Sequence, residues 1–538
     1  MQETLIDSEI VIPRVRSAKR DRLAEALSKV QFDQLPYGKI LIICAIGLSV
    51  LMLYLSITND FHNAHFDSKG HQLVARRIAD NLSPGWIQIG AFWLPLPHVL
   101  YYPLVKNDWI YFNGFGGILF SVLSYLFSVV LLFRMLKHIV DPTSAFIGTT
   151  LYMINTNILY LQTTSLTEGL SIVFSLAAVY FFVRYEVTQV KKWLIIASVI
   201  SAFGVLIRYE NWFTFGMMGL LMILLHIKSK RGFRKILTDG LILGIPNFAA
   251  IALTFWINWR TTGSMLVDVS AKFTDWQPGQ GSYLLSFFVA LYTAGKLISF
   301  EWAIATVAAF ILMFKRKFRQ PAFIASLAII GPLILYLIQY HDGHPTRIRY
   351  GLLLVPACYF FLSHFPERSK LMRYLFLVFA LFINTSSYFG KFEASELLEE
   401  SLRDTTNLSL QSDLLWYLKQ HDDGSLILVA MGEIAPVVYD LKLPIKRFIH
   451  EGAKPWWNDA RKEPEKYAGW VFISQDDKLW KIFHDDPNFH RHFLLIGRRN
   501  FLELYKRNSD EQENIKSHRA HGKNLKGEIP VFNKDRKQ

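Results

Sequence analysis

Apolar runs long enough to cross a hydrocarbon core roughly 30 Å thick as helices recur near 40–57, 114–133, 144–160, 168–183, 192–207, 212–227, 238–256, 297–314, 321–340, 350–365 and 372–389. The pattern predicts a polytopic α-helical membrane protein with about eleven transmembrane helices. Basic residues collect in alternate turns: the N-terminal arm, Arg134 and Lys137, Arg184 to Lys192, the Lys228–Lys235 cluster, Lys315 to Arg319, and Arg368 to Arg373. Cytoplasmic turns are the lysine- and arginine-rich ones, so these turns face the cytoplasm and the intervening loops face outward. Counting 283–299 as a crossing would put Lys315 to Arg319 outside, so that stretch is read as an interfacial or re-entrant helix.

After residue 390 the pattern changes. Short β-type runs at Leu426–Ala430, Ile445–Ile449, Trp470–Ile473 and Phe493–Gly497 alternate with helical stretches at 408–420, 433–440 and 477–484, as expected of a small α/β domain. The predicted organisation is a cytoplasmic basic arm (1–38), a transmembrane domain (39–390), an extracytoplasmic α/β domain (391–507) and a disordered basic tail (508–538).

Composition sharpens this picture. The chain is 51% hydrophobic and 19% charged, against about 25% charged in ordinary soluble domains. Its net charge of +14 resides in turns and tails, which is an orientation signal and gives no support to nucleic-acid binding. Cys44 and Cys358 each lie within an apolar run, so neither a disulfide framework nor a thiolate metal site is expected. No small-residue cleavage site closes the first apolar run, which reads as an anchor.

The outer face gathers the candidate chemistry. Asp67 follows the first span in a loop that also holds His65, Lys69 and His71; a carboxylate in hydrogen-bond reach of an acceptor can act as a general base. Behind it, 68–81 forms an amphipathic pattern with Leu73, Val74 and Ile78 as its stripe, expected to lie on the membrane surface. The segment Trp93-Leu-Pro-Leu-Pro-His98 is read as unable to continue a helix through its prolines, with His98 a possible proton or phosphate partner. Glu168 opens the fourth span from outside, Arg208 and Glu210 follow the fifth, and Arg347 and Arg349 open the tenth. Arginines disfavoured at an outer boundary suit phosphate oxygens, onto which they fork in pairs.

Taken together, the outer Asp67, A-R-R-I-A-D (75–80), W-L-P-L-P-H (93–98), S-L-T-E (165–168), R-Y-E-N-W (208–212), N-W-x-x-x-G (258–263) and R-Y (349–350) resemble membrane glycosyltransferases of the GT-C fold. The resemblance is to the branch similar to protein O-mannosyltransferases and the lipid A aminoarabinose transferase, and it spans about 40–365. It implies a polyprenyl-phosphate sugar donor, membrane lipids as surroundings and an acceptor of unspecified kind on the outer side. It further implies Asp67 as the base, Glu168 as a supporting acid, and Arg208, Arg349 and Arg347 as phosphate partners. Trp93, His98, Glu210 and Asp60 are then candidate substrate contacts. Many relatives carry two adjacent acids in this loop, whereas Asp67 is followed by Ser68, which makes Asp60 the reserve base. No metal or other cofactor is predicted, since Asp60, Asp67 and Glu168 do not by themselves make a cation site. Two competing readings are a transporter or lipid flippase, which predicts mid-span ionisable groups and repeated halves, and a noncatalytic envelope-assembly subunit.

Overall fold

The computed structural model of the chain describes residues 36–89, 93–265, 276–299, 306–307, 320–364, 395–409, 412–432 and 434–508, with single positions at 371, 373, 376 and 378. Among them, six helices are long and apolar enough to cross a membrane. These are α1 (Tyr37–Thr58), α4 (Ile118–Leu136), α7 (Glu168–Thr188), α9 (Glu210–Lys228), α10 (Phe233–Thr262) and α12 (Pro321–His341). Each coincides with an apolar run read from the sequence.

The other runs depart from simple spans. The 144–160 run breaks at Asn155, whose side chain accepts the N–H groups of Asn157 and Ile158 and so starts a new helix; the result is α5 (Pro142–Met153) and α6 (Thr156–Leu161). The 192–207 run becomes α8 (Lys191–Val205), and 283–299 becomes α11 (Tyr283–Ile298). The 350–365 run is a tight 3-10 turn, Ile348–Leu354, leading into α13 (Val355–Leu362). The expected spans at 297–314 and 372–389, and both chain tails, fall largely or wholly outside the described residues.

At the centre stands α7, packed against α4, α8 and α12. On the periphery, α1 presents Tyr37, Leu41 and Ala45 to the bundle while Ile43, Val50 and Tyr54 are exposed. Its exposed apolar side matches the lipid-facing side of a span, because lipid tails solvate such residues as well as protein does.

Two expectations about the first loop are corrected. Residues 68–81 do not form a surface-lying helix: α2 spans Phe66–Arg76 and buries Ser68, Lys69, His71, Gln72 and Leu73 together. Its polar face packs against α3 (Pro95–Val105) on one side and against α16 (Ala435–Asp440) on another. The Trp93–His98 segment is not barred from helix either, because Pro95 begins α3 and Pro97 falls within its first turn. First-turn N–H groups have no intrahelical acceptor, so proline is tolerated there.

The C-terminal residues form α14 (Glu396–Ser409), α15 (Ser412–Gln420) and a five-stranded sheet with helices around it. The strands are β1 (Ile427–Val429), β2 (Phe448–Ile449), β3 (Trp470–Ser474), β4 (Phe493–Arg499) and β5 (Leu502–Arg507), in the order β2-β1-β3-β5-β4. The first three run parallel, and β5 pairs antiparallel with both β3 and β4. The sequence reading found the first four strands and missed β5.

Candidate functional site

The first turn of α2 fixes Asp67. His65 caps the helix, its Nδ1 accepting the Asp67 N–H at 3.0 Å, and the Asp67 carboxylate sits at the helix's positive end, where negative charge is favoured. Arg349, carried in by the 3-10 turn, donates through Nη1 to Asp67 Oδ2. The two side chains keep only 13% and 14% of their exposure.

Arg349 also lies 3.9 Å from Glu168, the fully buried first residue of α7. Glu168 in turn accepts from Arg208 Nη1 at 3.0 Å. Arg208 is itself clamped by Glu210, with Nη2 at 2.7 Å and Nε at 3.2 Å, and reaches Thr167 Oγ1 at 3.3 Å. Four residues picked from distant points of the chain, Asp67, Glu168, Arg208 and Arg349, thus meet in one alternating chain of charge with Glu210 at its end. Counting three carboxylates against two guanidiniums leaves one net negative charge. Two polar atoms in the cluster lack a hydrogen-bond partner, Glu168 Oε2 and Arg349 Nε.

The remaining predicted residues sort by position. Glu210 belongs to the cluster. Arg347 is half-exposed and lies 3.9 Å from Glu400 of α14. His98 is fully buried, with Nε2 3.1 Å from His71 Nδ1. Trp93 lies against the His71 ring at 4.1 Å between centroids. Asp60 is not drawn in: its side chain is 89% exposed, with His62 Nδ1 at 3.8 Å.

Sequence reasoning gave no role to His65 and His71, which stand two residues before and four after Asp67. A spacing of four places residues on one helix face, and that was the available signal for His71. Burial dominates in both imidazoles and pushes them down to about 3, with the Arg349 charge adding to the effect. Both are therefore neutral, which the capping role of His65 requires, since only an unprotonated Nδ1 can accept a hydrogen bond. For Asp67, burial acts to raise the carboxyl, but the surrounding positive charge, Arg349 first with its charge and its hydrogen bond, outweighs it and holds the group well below the ordinary carboxylate range.

The rest of α2 is tied down residue by residue. Ser68 Oγ accepts the Ser165 N–H at 2.9 Å, and Gln72 Oε1 accepts the Gly116 N–H at 2.9 Å. Arg76 donates to the Val105 and Lys106 carbonyls at 2.7 and 2.8 Å. Gly70 brings the Trp93 ring so close that a Cβ there would lie 2.6 Å from it.

A second buried polar network sits at the opposite ends of α7, α9 and α10. Asp239 Oδ2 receives Tyr185 Oη, His226 Nε2 at 2.8 Å and Lys235 Nζ at 3.1 Å, while Arg231 bridges His226 and Glu186 at 3.1 and 3.2 Å. It welds the three helices at the end that carries the basic turn. Among the described residues, no group of three or more His, Cys, Asp or Glu is placed to hold a metal ion.

Residues 110–259 match the family model described as dolichyl-phosphate-mannose-protein mannosyltransferase. No curated protein sequence matches the chain. Among solved structures, the fold is similar to ArnT from Cupriavidus metallidurans bound to undecaprenyl phosphate, with TM-score 0.55 and 10% identity over 87% of this chain and 98% of that one. The apo form of the same protein gives TM-score 0.57 and 11% identity over 86% and 98%. The archaeal oligosaccharyltransferase AglB from Archaeoglobus fulgidus, in complex with an inhibitory peptide and a dolichol-phosphate, gives 0.50 and 11% over 85% and 72%. The chain is thus a membrane protein with the fold of GT-C glycosyltransferases, and its residues 110–259 carry the sequence pattern of the dolichyl-phosphate-mannose-protein mannosyltransferase family.

Proposed function

We propose that this chain is an integral membrane glycosyltransferase that moves a sugar from a polyprenyl-phosphate-linked donor to an acceptor on the extracytoplasmic side. The observation that carries the reading is the Asp67–Arg349 pair, joined through Glu168 to Arg208 and Glu210 beside the first turn of α7. Such a donor brings its own leaving group, so the protein need only orient the acceptor, take its proton and stabilise the departing phosphate.

In this reading the acceptor oxygen or nitrogen attacks the anomeric carbon, and its proton passes to Asp67. The bond from that carbon to the phosphate oxygen breaks, and the polyprenyl phosphate leaves with the electron pair. Arg349 is the cation for that phosphate, because its Nε has no hydrogen-bond partner. Arg208 plays a different part from the one its sequence position suggested: all three of its nitrogens donate to Glu168, Glu210 or Thr167, so it locks the supporting acids. Glu210 is used up in that lock. His98, fully buried, holds His71 in place and does not touch substrate, while Trp93 offers its ring to the sugar or the acceptor.

Sharing Arg349 between base and phosphate couples the two events. Without donor, the guanidinium holds Asp67 as a poor base; a phosphate that draws the guanidinium away leaves a buried carboxylate whose affinity for a proton rises. The outward orientation of the site and of the C-terminal unit rests on the basic turns at the other end of the bundle.

The experiment is transfer in membranes supplied with a labelled polyprenyl-phosphate sugar. General base catalysis contributes about 10²–10⁴-fold, so Asp67→Asn should lose at least about a hundredfold in kcat. Undiminished transfer by Asp67→Asn would refute the base assignment.

A further inference from the structure

We propose that Asp440, in the C-terminal α/β unit, is a positioning residue for Asp67 and acts through Lys69. The inference rests on the glycosyltransferase reading for its kinetic arm only. Helix α2 has 11 residues, too few to hold its shape by helix propensity alone. Its orientation is therefore set by what grips it.

Lys69 follows Asp67 by two residues, about 200° around the helix at 3.6 residues per turn, so the two side chains leave on opposite faces. Arg349 holds one face. On the other, Lys69 Nζ donates to both carboxylate oxygens of Asp440, at 2.8 and 2.7 Å, with its side chain only 8% exposed. Asp440 is the last residue of α16, where the helix dipole disfavours a carboxylate; α16 gains nothing from an acid there, and Lys69 does. The surrounding contacts keep the grip in register. Tyr439 Oη donates to the Tyr111 carbonyl at 2.5 Å, and the Asp80 carboxylate accepts the N–H groups of Ile445 and Lys446 at 3.1 Å each.

Neutralising Asp440 leaves the Lys69 ammonium buried and uncompensated. A buried unpaired charge is strongly unfavourable, so Lys69 must swing toward water and turn α2 with it. Asp67, two residues away, then leaves the position in which Arg349 and the acceptor meet.

The test uses the full-length protein in nanodiscs with two readouts. Hydrogen exchange of the peptide covering 66–76 needs no substrate, and kcat and KM for a labelled polyprenyl-phosphate sugar report the chemistry. Asp440→Asn is expected to raise exchange in 66–76 at least about tenfold and to lower kcat at least about tenfold, with donor KM held within about twofold. The charge exchange Lys69→Asp with Asp440→Lys restores both readouts to within about threefold of the parent. If Asp440→Asn fails to fold, Lys69→Met with Asp440→Leu replaces the pair by apolar groups and is expected to retain the fold but lower kcat. Unchanged exchange and kcat in a folded single variant or neutral pair overturns the proposal, as does a charge exchange that restores stability without kcat. A parent protein that transfers no sugar, with exchange in 66–76 still dependent on Asp440, overturns the glycosyltransferase reading and leaves the grip on α2 standing.

Discussion

Arg349→Gln is the most informative single change, because Arg349 faces both partners of the proposed reaction. Its guanidinium and the Asp67 carboxylate are 14% and 13% exposed, so their interaction is little screened by water. Removing one charge-assisted hydrogen bond to a phosphate costs about 1.5–3 kcal/mol, or about 10–150-fold in kcat/KM for the donor at 1.4 kcal/mol per decade. Arg349→Lys keeps the charge but loses the planar fork, and its loss should be smaller. The pH profile provides the second, independent readout. Burial acts to raise the Asp67 carboxyl and Arg349 heads the influences that hold it down, so Arg349→Gln removes the chief restraint. A base must be ionised to work, hence the acid limb of kcat/KM against pH, which reports the free enzyme, moves to higher pH, by about 1–3 units for the loss of one close opposite charge. The assay is initial-rate transfer from a labelled polyprenyl-phosphate sugar between pH 4 and 9. A variant that keeps donor kcat/KM within about twofold and falls no more steeply toward pH 4 than the parent would refute the shared-cation reasoning.

Other outcomes follow from single contacts. Gly70→Ala forces a Cβ to 2.6 Å from the Trp93 ring; overpacking of this kind costs about 1–3 kcal/mol, visible as a lower melting temperature that Trp93→Phe partly restores. Asp239→Asn strips His226 and Lys235 of their shared carboxylate and should cost about 3 kcal/mol of stability with donor KM unchanged, measured by thermal unfolding in detergent. His65 and His71, held neutral down to about pH 3 in the fold, bind protons in the unfolded chain below about 6.5. Stability therefore falls as pH drops from about 6.5 toward 3, by up to about 1.4 kcal/mol per unit for each histidine; His71→Gln should flatten the melting temperature against pH over that range.

Much of the architecture could be read from hydrophobic periodicity, since a span must satisfy its own backbone and needs about 20 apolar residues to do so. The convergence of Asp67, Glu168, Arg208 and Arg349 was readable from topology, because Glu168, Arg208 and Arg349 stand at span ends on one side and Asp67 in the first loop of that same side. The burial of α2 was not. An apolar stripe of Leu73, Val74 and Ile78 looks the same whether it faces lipid headgroups or protein, and the partner that covers its polar face lies at Asp440. Strand β5 escaped for a local reason. The turn before it is made by Asn500 in a left-handed conformation, φ 50°, without the glycine that usually marks a hairpin. The division of labour between Arg208 and Arg349 is equally invisible in sequence, where both are arginines at outer boundaries. Only the count of hydrogen bonds on each nitrogen separates them.

The contact between Lys69 and Asp440 spans 371 residues of chain. At about 5–20 residues per second of synthesis, loop one waits roughly 20–70 s after its own translation before the partner of its helix exists. Every transmembrane segment described here is already made by then. On the proposed role of Asp440, the grip on α2 is thus among the last parts of the molecule to be completed, and a nascent chain holds that helix from one face only until the C-terminal unit has folded and docked. Any factor that slows the folding of that unit would, on the same proposal, delay completion of the site without altering the spans already made.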